Sequence, residues 1–336
     1  MSFLKLKRGL RIDKMSEEEA FLEQLMYQNN GVYYNFRNWR FYPKESISKK
    51  PYNYSALLGI TFKHIPLYKR AIKDVRFIYS KWGNETPFNF AVNKQNENYF
   101  IEYHFFSKKN NSHDENKTFE KVKPILTYLN DEIDFEKIAI DVDFYMLSII
   151  PGDDKKQEEF HYFSNIILPN KPIRTDDMGY IVNIDSIYEE GFCYDLLNYQ
   201  TRSANKYYGF TRSEQIWDMF DKLIEITKSI FPNEDSALAK NIFKLPYLNT
   251  KLKELKGCCI PIVVAPKFNA VGLYFHAIDF KTFIHFLQYH EYSENFISDL
   301  IEKKNQLEHL LFDIKVDFIL RNNEFIIKKT GFYGAF

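Results

Sequence analysis

The chain has 336 residues, 45% of them hydrophobic and 18% aromatic, and its 45 Lys plus Arg balance 45 Asp plus Glu. That composition excludes a disordered chain, and the charge balance excludes a global field for nucleic acid or an anionic membrane surface. Any charged ligand must therefore be held by a local cluster.

Three cysteines, Cys193, Cys258 and Cys259, have no metal-binding spacing, and an adjacent pair is poor disulfide geometry, so the expected compartment is reducing. No segment approaches the length of a membrane span and no apolar run has signal-peptide length, so a cytoplasmic protein without membrane partners is expected. Residues 1–14 read as a short basic arm. Ser16 then opens a helix with Glu17, Glu18 and Glu19 in its first turn, where the helix dipole favours acids. Val32 to Lys44 mixes aromatics with Arg37 and Arg40. It is either a strip for nucleic acid or peptide or, as adopted here, a segment packed across the main domain. A Pro- and Ser-containing connection, Lys44 to Tyr54, is the one internal boundary, which gives an N-terminal unit of residues 1–55 and a main domain of residues 56–336.

Within the main domain, Leu67, Ala71, Val75, Ile78 and Tyr79 share one helical face that Gly83 ends. A hairpin follows, Pro87 to Lys94 and Tyr99 to Phe106 around a turn at Gln95 to Asn98. Helix returns at Phe119 to Leu129. Alternation resumes in Glu136 to Ile150, turns at Pro151 to Gln157, and continues from Glu158. A third hairpin is placed at Gly191 to Tyr199 and Ala204 to Phe210, ahead of a helix from Ser213 to Ile230. Ile260 to Ala265 and Val271 to Ile278 flank a Pro-Lys-Phe-Asn turn, with Asp279 as N-cap of the helix behind them. The last hairpin is Leu311 to Leu320 and Glu324 to Ala335 about Arg321-Asn322-Asn323.

Five hairpins separated by helices form a structural repeat without residue repetition. Hairpins make neighbouring strands antiparallel, which disfavours a doubly wound parallel sheet. The expected fold is therefore α+β: a closed ten-stranded antiparallel β-barrel of five αββα repeats, helices outside and a chamber inside, with no sheet edge left for oligomerisation. Alternation separates the faces. Phe88, Phe90 and Val92 oppose Asn89, Ala91 and Asn93; Glu102 and His104 share a face; Asp141 and Asp143 share one with Tyr145.

The stretches Phe88 to Phe106, Ile133 to Phe144, Gly272 to Leu287 and Lys328 to Phe336 resemble the ABBA aromatic prenyltransferases, and among them the cyanobactin-type peptide prenyltransferases, over roughly Ala56 to the end. The resemblance implies transfer of a dimethylallyl or geranyl group from its diphosphate to an electron-rich side chain of a peptide or to an aromatic small molecule. It also implies which residues would serve. His104, His161, Lys206 and Lys329, with Lys315 as a further candidate, would bind the diphosphate. Tyr208, Tyr274 and Tyr333, joined by Tyr145, would shield the allylic cation. The family's base glutamate falls at Asn89, so Glu102 or Asp143 would take the proton. Asp141 and Asp143 would hold Mg²⁺, the cofactor expected with the donor.

Other enzyme classes lack their motifs. No glycine loop for nucleotides, no G-x-S-x-G elbow and no H-E-x-x-H zinc helix occurs. The alternative to an enzyme is a non-catalytic barrel that binds a peptide or a small aromatic ligand.

Overall fold

A computed structural model describes residues 54–65, 76–78, 80–81, 88–108, 123–128, 144–150, 157–163, 191–195, 200–203, 208–210, 216–248 and 262–335. The N-terminal unit assigned from sequence lies outside them, apart from its last two residues. Among the described residues eleven strands follow a helix, α1 (Ser55–His64): β1 (Phe88–Gln95), β2 (Asn98–Lys108), β3 (Phe144–Ile150), β4 (Gln157–Phe163), β5 (Gly191–Asp195), β6 (Gln200–Ser203) and β7 (Tyr208–Phe210), then β8 (Ile262–Lys267), β9 (Ala270–Ile278), β10 (Phe312–Arg321) and β11 (Glu324–Ala335). Helix α2 (Ile216–Ile230) and a 3-10 helix (Ser236–Lys244) separate β7 from β8. Between β9 and β10 lie α3 (Phe280–Tyr289), α4 (Glu294–Glu302) and α5 (Lys304–Leu307).

All eleven strands form one antiparallel sheet in the order β6-β5-β4-β3-β2-β1-β11-β10-β9-β8-β7. The expected closed ten-stranded barrel is not what forms. The sheet is open, with β6 and β7 at its two ends and no ladder between them among the described residues. The cause is local. Gln200–Ser203, expected as the turn of the third hairpin, forms a strand that pairs with β5, whereas Tyr208–Phe210, within the expected second strand, pairs with β8 at the opposite end. Only residues 204–207 separate those ends in sequence, a link that reaches about 18 Å at most. A flat sheet of this size would be about 48 Å across, so the sheet must curve strongly.

Antiparallel register sets which residues share a face. Phe90 pairs with Gly334 and Tyr103, Val92 with Phe332 and Ile101, and Ile314 with Phe332 and Phe275. This set is buried and covered by the helices. Phe283 of α3 stacks on Phe312 at 4.3 Å and meets Phe332 edge-on at 5.3 Å. Phe243 of the 3-10 helix meets Phe275 edge-on, and Phe296 of α4 stacks on Phe332. Aromatic mass thus joins α3, α4 and the 3-10 helix to the strands beneath them.

Turn chemistry matches the sequence at both ends of the central strands. Asn96 begins the β1–β2 turn at φ 53°, and Asn322 and Asn323 both take positive φ between β10 and β11. The Glu234 carboxylate accepts from the backbone N–H groups of Asn322 and Asn323, which ties that turn to the 3-10 segment. Asp279 caps α3 by accepting from the N–H of Thr282 at 2.7 Å. A register shift at Asp317/Phe318 places Phe318 opposite Ile327 and leaves Lys329 opposite Asp317. Without that bulge Ile327 and Lys329 would share a face; with it, Ile327 packs on the core and Lys329 does not. Among the described residues no helix is long and apolar enough to cross a membrane.

Because Phe283 carries the stack between α3 and the centre of the sheet, Phe283→Ala should lower unfolding free energy by about 3–5 kcal/mol in urea titration. A loss below about 1 kcal/mol would show that the stack is not what fastens α3.

Candidate functional site

The face opposite the helices carries the chemistry. Tyr274 pairs with Lys315, Lys315 with Gly331, and Gly331 with Asn93; Asp317 pairs with Lys329 and Gly272; Glu102 pairs with Ala91, which pairs with Tyr333. Directly paired residues point to the same side, so five strands deliver polar groups to one patch. Lys267, the last residue of β8, joins it.

Three lysines meet two carboxylates there. Lys267 Nζ donates to both oxygens of Asp317, at 3.0 and 3.1 Å, and Lys315 Nζ lies 3.4 Å from Asp317 Oδ2. Lys329 Nζ lies 3.5 Å from Glu102 Oε1, and His104 Nε2 lies 3.6 Å from Glu102 Oε2. Aromatic rings fill the gaps between the charges. Lys267 and Lys315 sit 5.2 and 5.7 Å from the Tyr274 centroid, and Lys329 sits 4.4 Å from that of Phe100. The Tyr274 and Tyr333 rings are 6.1 Å apart.

Two glycines make room for this arrangement. A Cβ on Gly272 would come within 2.7 Å of both Asp317 Oδ1 and Lys267 Cε, so the ion pair occupies the space a side chain would need. A Cβ on Gly331 would lie 2.9 Å from Asn93 Oδ1. Asn93 is fully buried, and its amide oxygen and nitrogen have no hydrogen-bond partner among the described residues.

Burial and charge compete at each titrating group. Burial would raise the Glu102 carboxyl, but Lys329, Lys315, His104 and Lys267 outweigh it and bring it down to about 2. Asp317 is also lowered, because Lys315 and Lys267 oppose its burial. Burial, reinforced by the Lys315 charge, brings Lys267 down to about 7 and Lys329 down to about 8. Lys315 goes the other way: burial lowers it, but Tyr274, Asp317, Tyr333 and Glu102 together hold it well above the ordinary lysine value. Burial is also the main reason the Tyr274 hydroxyl is pushed up to about 12.

Of the residues singled out from sequence, Glu102, His104, Lys329, Tyr274 and Tyr333 come together in this patch, with Lys315 at its centre. Tyr208 does not. It pairs with buried Val264, is packed against the core beside buried Phe210, and has Lys222 of α2 at 5.0 Å from its ring, so it faces the helices. Its strand has the sequence Tyr-Gly-Phe, and alternation sends Tyr208 to the same side as Phe210. His161 occupies a register position between Met146 and Cys193, two strands from His104. Tyr145 is out of phase with Ser148, the partner of His104, and so belongs to the other register set. Lys206, Asp141 and Asp143 lie outside the described residues.

The two carboxylates of this patch, Glu102 and Asp317, do not by themselves offer a Mg²⁺ site. Among the described residues no three His, Cys, Asp or Glu side chains form a metal cluster, and Glu102 and Asp317 are each engaged by lysine. Sequence reasoning missed Lys267, Asp317 and Asn93. A signal existed for Asp317: Lys315 and Asp317 alternate with Ile314, Val316 and Phe318, which marks two charges on one strand face. For Lys267 there was none, because it reads as a turn residue.

A scan against protein-family models found no match, and a search of curated proteins found none. Among solved structures the chain is similar to an S-type phycobiliprotein lyase, CPES, from Guillardia theta, at 6% identity and TM-score 0.22 over 80% of this chain and 97% of that one. A likeness at that level carries no argument about fold or function.

The depressed lysines make stability depend on pH in a stated direction. Between about 7 and 10.5 the unfolded chain holds a proton on residue 267 that the folded chain has lost, so this group makes stability rise with pH across that window. Glu102 acts at the acid end. Its contribution is complete above its unfolded value of 4.5 and is lost as pH falls towards about 2. Urea unfolding of Lys267→Met should therefore show a smaller rise in stability from pH 7.5 to 10 than the parent, and an unchanged slope would refute the assignment.

Proposed function

We propose that this face binds an allylic diphosphate and transfers its isoprenyl group to an electron-rich acceptor, a peptide side chain or an aromatic small molecule. The observation that carries the reading is the packing of Lys267, Lys315 and Lys329 against the rings of Tyr274 and Phe100. Such a patch offers an anion its countercharges and an allylic cation its aromatic faces side by side.

The chemistry divides between the residues. Lys315 keeps its proton and, with Lys329, neutralises charge that develops on diphosphate as the allylic C–O bond breaks. Tyr274 and Tyr333 lie beside them to face the cation and exclude water. The acceptor's electron pair then forms the new bond to the allylic carbon, and the acceptor loses a proton. Glu102, held near 2, is too weak a base for that proton, whereas Lys267 near 7 is matched to it. The proton-accepting role assigned to Glu102 from sequence therefore passes to Lys267, and Glu102 positions Lys329.

A second reading, a non-catalytic binder of a peptide or small aromatic ligand, is favoured by one observation: each lysine of the patch already lies within 4 Å of a carboxylate, which competes with a diphosphate for it. The two readings part on turnover. Dimethylallyl or geranyl thiolodiphosphate, which resist ionisation, should raise the melting temperature of the parent protein, and Lys315→Ala or Lys329→Ala should abolish the rise. Binding should also take up protons at pH 8, because an anion beside Lys329 restores that lysine's charge, and calorimetry in buffers of different ionisation enthalpy reads that uptake. Absence of any thermal shift at millimolar donor would eliminate the transferase reading. Binding without an isoprenylated product from a panel of peptides and phenols would leave the binder.

A further inference from the structure

We propose that Lys267 is a nucleophilic lysine that forms an imine with an aldehyde bearing an anionic group, a reaction distinct from isoprenyl transfer. The geometry carries the assignment. Asp317, whose side chain is 5% exposed, is shared by two amines: Lys267 binds both its oxygens and Lys315 approaches one of them. One carboxylate cannot neutralise two ammonium groups in a poorly solvated site. Lys315, 4% exposed, has Tyr274, Tyr333 and Glu102 as further partners for its charge. Of these two, Lys267 is therefore the amine that gives up its proton, and it is the more exposed. Its side chain is 17% exposed and it ends β8, immediately before the exposed Phe268 of the β8–β9 turn.

The groups facing Lys267 from the neighbouring strands act together. Tyr274 of β9 offers an apolar ring surface; Lys315 and Asp317 of β10 hold the amine and oppose its charge; Lys329 of β11 adds a second cation; Glu102 of β2 offsets that cation. A desolvated lysine beside another cation is the arrangement that activates an amine towards carbonyl compounds. Burial and the Lys315 charge bring it to about 7, so about half the molecules carry a free amine at neutral pH. Lys329, which loses only part of its charge there, is the countercharge for the anionic end of the aldehyde.

The step is balanced. The Nζ lone pair forms a C–N bond to the carbonyl carbon, the C=O π pair moves to oxygen, and both Nζ protons leave with that oxygen as water. No oxidant or reductant is required.

The test uses the intact chain with substoichiometric pyridoxal 5′-phosphate as an anionic aldehyde probe, borohydride reduction of the imine, and peptide mapping. The expected result is one dominant adduct on Lys267, a labelling rate half-maximal near pH 7, and protection by inorganic diphosphate. Lys315→Met removes the neighbouring cation and should move that midpoint up by about one pH unit or more. Lys267→Arg should remove the adduct. Should either variant fail to fold, the site and pH profile of the parent protein decide alone. Label spread over exposed lysines such as Lys303 and Lys328, a midpoint near the ordinary lysine value of about 10.4, or a dominant adduct on Lys315 or Lys329 would each overturn the proposal. No isoprenyl donor enters the experiment, so its failure and that of the transferase reading are separable.

Discussion

The constraint on which this structure depends is that a β-strand must divide its side chains between two faces. On one face Phe90, Val92, Ile314, Phe332 and Phe275 are sealed beneath helices, which leaves no place there for an unpaired charge. The intervening residues therefore all go to the other face, whatever their chemistry. Lys315 and Asp317 on β10, Glu102 and His104 on β2, and Lys329 on β11 are brought together because their strands are neighbours in register. Lys94, a lysine on the covered side, donates to the carbonyls of His290 and Glu291 at the end of α3, where a cation satisfies the helix terminus.

That division sets the electrostatics of the patch. Three lysines and two carboxylates share a space that water enters poorly, so burial and mutual repulsion push some groups far from their solution behaviour and the ion pairs pull others back. Lys315 and Lys267, bound to the same carboxylate, move in opposite directions. The difference lies in their surroundings: Lys315 is central and collects the influence of Tyr274, Tyr333 and Glu102, whereas Lys267 stands at the hairpin end. Gly272 is part of the same arrangement, since a side chain there would occupy the space of the Lys267–Asp317 pair.

The curvature of the sheet follows from connectivity rather than from closure. The short edge strands β6 and β7 lie at opposite ends of eleven strands but are joined by four residues, which brings the ends towards each other without a ladder between them among the described residues. The difference from a closed barrel lies in one segment, residues 200–210. Gln200–Ser203, expected as turn, pairs with β5, and Tyr208–Phe210, expected beside that hairpin's first strand, pairs with β8 instead.

Much of the local architecture was legible from residue order. Positive φ is cheapest for Asn and Gly, so the turns at Asn96 and Asn322-Asn323 could be read directly, and an aspartate before an apolar helical run marked the cap at Asp279. The period-two pattern of β1 and β2 also separated a polar from an apolar face and put Glu102 and His104 together, whereas Lys329 was named only through the family resemblance. Period two does not say which strands become neighbours, and Tyr208 was grouped with Tyr274 and Tyr333 through the resemblance alone. Pairing with Val264 places it with the core. Nor could sequence reveal that Lys267, read as a turn residue, reaches Asp317 fifty residues away, or that Asn93 is buried over Gly331. Spacing along the chain determined the turns, the cap and the two faces, because these depend on backbone conformation within a few residues. The tertiary structure alone decided the open sheet, the partners of each lysine and their proton affinities, because these depend on which distant strands share a register and exclude water together.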